Sequence, residues 1–192
     1  MGRNTLGVIM NDQQKKLQGL TTYIRGITGE EFTLVGGCVR DALYNVPAKD
    51  YDAVLCVGDI CESEAFELSE LISARFSRLG LNTQVYQSYG QIEGNPVNPT
   101  SFQAMFLSCI KVFTPHGDLD ILLSNSENIS QHVQKHDCNM NMVWWDSDKV
   151  DTMWVHDGDS AKVDYIQFNP DVCGARISVM THKFHKLNAG LL

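Results

Sequence analysis

Apolar positions recur every three to four residues over 12–24, with Leu17, Leu20 and Ile24 on one face and Gln13, Lys15, Lys16 and Gln18 away from it. That period predicts an amphipathic helix, capped by Asn11 or Asp12 and closed by Gly26 and Gly29. A short apolar run over 32–35 predicts a buried strand, and Gly36-Gly37 then turns the chain into a helix over about 38–44. Pro47 follows, and 51–57 predicts a second strand entered through Asp50 and Asp52. Phe66, Leu68, Leu71, Ile72 and Phe76 have helical spacing within 62–79, and 82–89 alternates as a strand. The first half therefore reads α-β-α-β-α-β.

Two prolines, two glycines and two asparagines fall within 90–101, which is the composition of a surface loop. Apolar runs over 104–113 and 119–123, joined by Thr114-Pro115-His116-Gly117, predict a β-hairpin. A short helix over 129–135, a run over 142–145 and a last helix over 176–187 complete an α/β (α+β) pattern, with no repeat and no low-complexity segment. Three units are expected: an N-terminal helical segment (1–30), the main domain (31–170) and a C-terminal helix (171–192).

A chain of 192 residues that is 43% hydrophobic and 20% charged has room for one packed domain. Its net charge of −8 argues against general polyanion binding while leaving a local basic patch open. The acidic excess lies after residue 50, where eighteen acidic side chains face nine basic ones. The six cysteines have no Cys-x-x-Cys spacing and follow no secretory leader, so reduced thiols in a cytoplasmic protein are expected. No stretch is apolar enough to predict a membrane partner.

The segment Leu34-Val35-Gly36-Gly37-Cys38-Val39-Arg40-Asp41, followed by Asp50-Tyr51-Asp52, carries the candidate chemistry. Glycines between a strand and a helix let backbone N–H groups approach a phosphate, and Arg40 in the first turn would reach its oxygens. On a strand Asp50 and Asp52 project to one face, where two carboxylates repel unless a hard cation such as Mg²⁺ sits between them. The hairpin offers Asp118 or Asp120 as a third acid. Other features read as packing or surface: Trp144, Trp145 and Trp154 as core aromatics, His116 as a turn residue, Cys38 as a small packing residue. His132 and His136, four apart, are joined by no further His or Cys ligand in sequence.

Taken together, Val35–Leu43 and Val46-Pro47-Ala48-Lys49-Asp50-Tyr51-Asp52 resemble the head-domain signature of CCA-adding tRNA nucleotidyltransferases and bacterial poly(A) polymerases, within the polymerase-beta-like superfamily. Lys135-His136-Asp137-Cys138-Asn139-Met140-Asn141-Met142 resembles that family's Arg-Arg-Asp-Phe-Thr-Ile-Asn-Ala block. The resemblance spans about 30–188 and implies a polymerase-beta-like fold with a mixed central sheet flanked by helices. It implies that Gly36, Gly37 and Arg40 bind the triphosphate, and that Asp50, Asp52 and Asp120 hold Mg²⁺ and act in catalysis. Lys135 or His136 would stand in for arginines near the nucleotide, and Asp137 and Asn141 would position ribose or phosphate. Arg176 would keep a base-reading arginine, although Val172-Cys173 stand where the family carries Glu-Asp.

The implied activity is transfer of AMP or CMP from ATP or CTP to a hydroxyl, by family default an RNA 3′ end such as that of tRNA, with release of pyrophosphate. The family continues into neck, body and tail domains that grip tRNA, so the last helix is expected to begin a shortened neck. A protein side chain or a small molecule is the alternative acceptor. A non-catalytic nucleotide-binding or protein-binding module descended from such an enzyme is the alternative class, and a protein partner fits either reading.

Overall fold

Asn11 starts α1 (Asp12–Thr28) with a reciprocal capping box: its side chain accepts from the Gln14 backbone while Gln14 Oε1 accepts from the Asn11 backbone. The helix runs through Gly26, which had been expected to end it, and stops at Gly29, whose φ of 72° gives a left-handed cap. The computed structural model describes residues 10–87, 102–114, 117–147, 149–153 and 161–192. The loop expected over 90–101, the turn residue His116 and Trp154 lie outside them.

The elements that follow are β1 (Thr33–Val35), α2 (Gly37–Leu43), β2 (Asp50–Cys56), α3 (Glu62–Ser77), β3 (Asn82–Gln87), β4 (Phe106–Thr114) and β5 (Gly117–Ser124). Then come α4 (Ile129–Val133), β6 (Val143–Asp146), β7 (Lys149–Thr152) and α5 (Gly174–Asn188). Short 3-10 turns at Phe102–Met105 and Asn139–Asn141 precede β4 and β6. The architecture is α/β, as expected. Strand β7, a partner for β6, was not expected, and α4 is shorter than the helix read over 129–135.

Among the described residues the strands form one mixed sheet in the order β3-β4-β5-β2-β1-β6-β7. Strands β2 and β5 pair in parallel, whereas β1 with β2, β4 with β5 and β3 with β4 are antiparallel. Strand alternation splits the sheet into two unlike faces. One carries Leu34, Tyr51, Ala53, Ile110, Val112, Leu119 and Ile121, all buried in a core shared with Leu17 and Ile24 of α1, Val39 of α2, and Ile72 and Phe76 of α3. The other is apolar at one end only, where Val35, Val54 and Leu122 pack with Met105, Phe106, Val133 and Met142. A third cluster docks α5 through Met180, Phe184 and Leu187 onto Cys138, Met140 and Val163.

Candidate active site

The parallel register of β2 on β5 sets Asp50 beside Asp118 and Asp52 beside Asp120. Alternation then puts all four carboxylates on the incompletely covered face, while Tyr51 and Leu119 between them enter the main core. The hairpin brings Lys111 opposite Asp120, with Nζ 3.8 Å from Oδ1. That is an ion-pair distance and too long for a hydrogen bond, so Asp120 Oδ1 is buried with no hydrogen-bond partner. Lysine 111 had no place in the sequence reading, yet the antiparallel register of β4 on β5, with Thr114 opposite Gly117, counts it directly opposite Asp120.

Charge crowds this face. Burial, followed by the neighbouring charges of Asp50 and Asp120, pushes Asp52 up to about 7. Burial also raises Asp120, against the pull of Lys111, and the Asp120 carboxylate in turn raises Lys111. A surplus of hard oxygen donors, with one buried carboxylate oxygen that no hydrogen bond satisfies, fits a divalent cation such as Mg²⁺. No group of three His, Cys, Asp or Glu side chains among the described residues is gathered to hold a metal as it stands.

Gly36 follows Val35, which is in register with Asp52, and so lies at the edge of the acidic face. Its φ of 66° and ψ of −124° favour glycine, and its N–H donates to the Val143 carbonyl at 2.9 Å. A Cβ built there would come within 2.8 Å of His136 Cε1. Gly36 is thus required both by backbone conformation and by the imidazole packed against it. Gly37, the first residue of α2, would accept a Cβ at ordinary contact distance from Arg40. Behind it Cys38 is buried, with its thiol donating to Val35 O, as expected of a packing residue.

Arg40 is not held out toward a ligand. Its Nε and Nη2 each lie 2.7 Å from Asp41 Oδ1 and its Nη1 donates to Asn141 Oδ1, in a group only 5% exposed. The chain of contacts continues at both ends. Lys183 Nζ donates to Asp41 Oδ2 at 2.9 Å, Asn141 Nδ2 donates to Asp137 Oδ1 at 2.6 Å, and Arg176 Nε donates to Asp137 Oδ2. Burial alone would raise Asp137, but the Asn141 and Arg176 hydrogen bonds prevail and hold its carboxyl low. Four residues expected at the nucleotide, Arg40, Asp137, Asn141 and Arg176, therefore satisfy one another in a network tying α2 to α5. The basic stretch 182–186 is split by the same docking: Lys183 joins the network, Phe184 is buried and His185 faces solvent.

Lys135 is exposed in the turn after α4, whereas His136 is buried. Burial lowers His136 to about 4, so the expected substitute for an arginine is a neutral ring. His132, also buried, hydrogen-bonds Ser124 Oγ through Nδ1 at 2.9 Å, and burial lowers it to about 3. The two imidazoles meet edge to face at 5.5 Å and line, with Asp52, Asp120 and Phe106, a cavity of about 90 Å³. Their spacing was legible, but their meeting with both aspartates was not. Trp145 is core, as expected, while Trp144 is half-buried.

No family model and no curated protein matches the chain. Among solved structures it is similar to CCA-adding enzymes. It matches a tRNA nucleotidyltransferase complexed with a primer tRNA and an incoming ATP analogue at 16% identity and a TM-score of 0.44, over 72% of this chain and 34% of that one. The Bacillus stearothermophilus CCA-adding enzyme in complex with CTP matches at 16% identity and 0.46, over 76% and 31%. The Thermotoga maritima CCA-adding enzyme complexed with tRNA matches at 18% and 0.41, over 71% and 30%. The chain thus spans about a third of the length of these enzymes, at identities that leave its chemistry to its own residues.

Proposed function

We propose that this chain is a Mg²⁺-dependent nucleotidyltransferase that moves AMP or CMP from ATP or CTP to a hydroxyl and releases pyrophosphate. The observation that carries the reading is the parallel β2–β5 register, which gathers Asp50, Asp52, Asp118 and Asp120 on one face beside Gly36. Asp50, Asp52 and Asp120 would hold the metal, and the Val35-Gly36-Gly37 signature at their edge supports a triphosphate seat on bare backbone. Magnesium, when bound, supplies activation of the attacking hydroxyl and charge stabilisation at the transferred phosphate. The protein's own part is positioning. Lys111 favours the charged form of Asp120, and His136 packs against the Gly36 turn. Arg40 acts behind the site, holding Asn141 and Asp137 in place. The acceptor in this reading is an RNA 3′ end such as that of tRNA, and the compartment is the cytoplasm. No described helix is long and apolar enough to cross a membrane.

The test is release of pyrophosphate from each NTP with Mg²⁺ and, in turn, RNA, protein and small-molecule acceptors. Activity that EDTA abolishes and that Asp50→Asn and Asp52→Asn eliminate is expected. Absence of NTP turnover with every acceptor overturns the reading.

One observation favours a binding module instead: the mutual pairing of Arg40, Asn141, Asp137 and Arg176, with neutral His136, leaves few of the expected nucleotide contacts free. In that case Asp50→Asn with Asp52→Asn leaves biological activity unchanged. The enzyme reading requires its loss in a folded protein.

A further inference from the structure

We infer that the open face of β3 and β4 is a stacking platform for the single-stranded end of an RNA, held without regard to base sequence. The inference rests on the nucleotidyltransferase reading above and adds the surface that would grip the acceptor. Strand alternation decides which side chains share this face. Antiparallel register sets Gln84 beside Lys111, Tyr86 beside Cys109 and Asn82 beside Phe113, and the next strand sets Lys111 beside Asp120 and Phe113 beside Asp118. Tyr86, Gln84, Lys111 and Phe113 therefore lie on the same side of the sheet as the four acids. The residues between them point the other way. Ile110 and Val112 enter the core with Ile72 and Phe76 of α3, and the Thr83 hydroxyl is hydrogen-bonded to that of Ser73 in the same helix at 2.7 Å.

Two aromatic rings stand open on the acidic side. Tyr86 is 45% exposed and Phe113 is 38% exposed, and neither belongs to a buried cluster. Tyr86 is opposite Cys109 and Phe113 follows four residues later on β4, so the rings are roughly 14 Å apart by strand rise and spacing, room for more than one base. The Tyr86 hydroxyl donates to Gln84 Oε1 at 2.7 Å, two residues back on the same face, which leans the ring along the strand. A ring held in this way offers its π surface at little further ordering cost, and every nucleobase has a face to lay on it.

Polarity between the rings narrows the occupant. Lys111 is half-buried and its Nζ, 3.8 Å from Asp120, makes no hydrogen bond there, so its N–H donors are left for a backbone phosphate. Gln84 and Asn82 are exposed beside it. A protein partner would bury one contiguous apolar patch, whereas here polar side chains keep the rings apart. A duplex has no bases free to stack, so a single strand fits. A grip through Lys111 engages one phosphate and depends weakly on salt, in keeping with a chain of net charge −8. Since Phe113 lies beside Asp118, a strand whose last base covers Phe113 brings its terminal ribose to the acids.

Fluorescence anisotropy of 5′-labelled single-stranded RNA hexamers, in Mg²⁺ and without NTP, tests the platform apart from catalysis. Oligo(A) and oligo(C) are expected to bind within about threefold of each other, and a blunt RNA hairpin about tenfold weaker or worse. Tyr86→Ala and Phe113→Ala should each weaken binding about tenfold, while Tyr86→Phe and Phe113→Tyr, which keep the rings, leave it within about twofold. Circular dichroism checks the fold, and Tyr86→Leu and Phe113→Leu make the same comparison should an alanine variant fail to fold. Lys111→Met should lower the logarithmic salt slope by about 0.7, the share of one phosphate on a single strand. No RNA binding, equal binding of the blunt hairpin, or unchanged binding in both ring-deleted variants overturns the proposal. Self-association that depends on Phe113, with no RNA binding, would overturn it in favour of a protein partner. RNA binding without NTP turnover would keep the platform and reject the transferase reading. Turnover onto RNA with the same KM for RNA in both ring-deleted variants would keep the transferase and reject the platform.

Discussion

The two faces of the central sheet differ by a single step along each strand. Tyr51 and Ile121 enter a core roofed by α1, α2 and α3, while their neighbours Asp52 and Asp120 stand on a face with carboxylates at one end and an aromatic cavity behind them. Burial of apolar area stabilises the first face. The second gathers like charge and leaves a buried carboxylate oxygen without a hydrogen bond, an arrangement that costs stability and suits the binding of a cation there.

The sharpest way to break this contrast is to substitute the acids. Asp50→Asn with Asp52→Asn is expected to lower nucleotide transfer about a thousandfold or more, the effect of several kcal/mol at the transition state, without lowering the thermal midpoint. A large loss of stability in that variant would mean the acids serve the fold. Ile121→Ala, one residue from Asp120 and fully buried on the other face, is expected to do the reverse. It should cost about 2–5 kcal/mol in urea unfolding and leave turnover per folded molecule intact.

Gly36→Ala probes the seam between the faces. With φ at 66° and a Cβ at 2.8 Å from His136 Cε1, it is expected to cost about 1–3 kcal/mol. His136→Ala in the same chain should recover the steric part, so a double-mutant cycle reads out their coupling. Additive losses would place the whole cost in the backbone.

A smaller effect comes from pH. The folded protein holds Asp52 at about 7, above its ordinary value, so the native state binds that proton more tightly than the unfolded chain. Its contribution to stability is full below the ordinary carboxylate value and is lost as pH rises through about 7. In metal-free buffer Asp52→Asn should therefore be more stable than the parent by about 1–2 kcal/mol at pH 8, allowing for solvent screening, and equal to it near pH 4. A gain that persists at pH 4 would come from packing rather than charge. Least of all, Glu31→Gln at the rim of the helix-covered face breaks a 2.7 Å pair with Arg25 whose two side chains are both exposed. Its expected cost is below about 0.5 kcal/mol by chemical denaturation.

Local patterns made much of this legible. The alternating Asp50-Tyr51-Asp52, the helical period of 12–24 and the turn that sets the hairpin all act between near neighbours, so the first six elements and the acid pair could be read directly. Strand β7 was harder, because 149–152 is short, half polar and becomes a strand only by pairing with β6. The partners of Arg40 were hidden for a related reason. Its place after the glycines suggests a phosphate contact, yet its partners include Asn141, 101 residues away, and the Asp41 beside it is claimed by Lys183, 142 residues away.

By itself the sequence determined the alternation of helix and strand, the pairing of Asp50 with Asp52 on one strand face, and the glycine turn beside them. Those follow from backbone period and the conformational freedom of glycine, which need no distant partner. Only the tertiary structure decided that β2 lies parallel to β5, so that two acid pairs become four acids and Lys111 joins them. It also decided that Arg40 turns inward and that two histidines close a cavity against Asp52 and Asp120. Register, burial and charge pairing are properties of segments brought together from far apart, and no local pattern carries them.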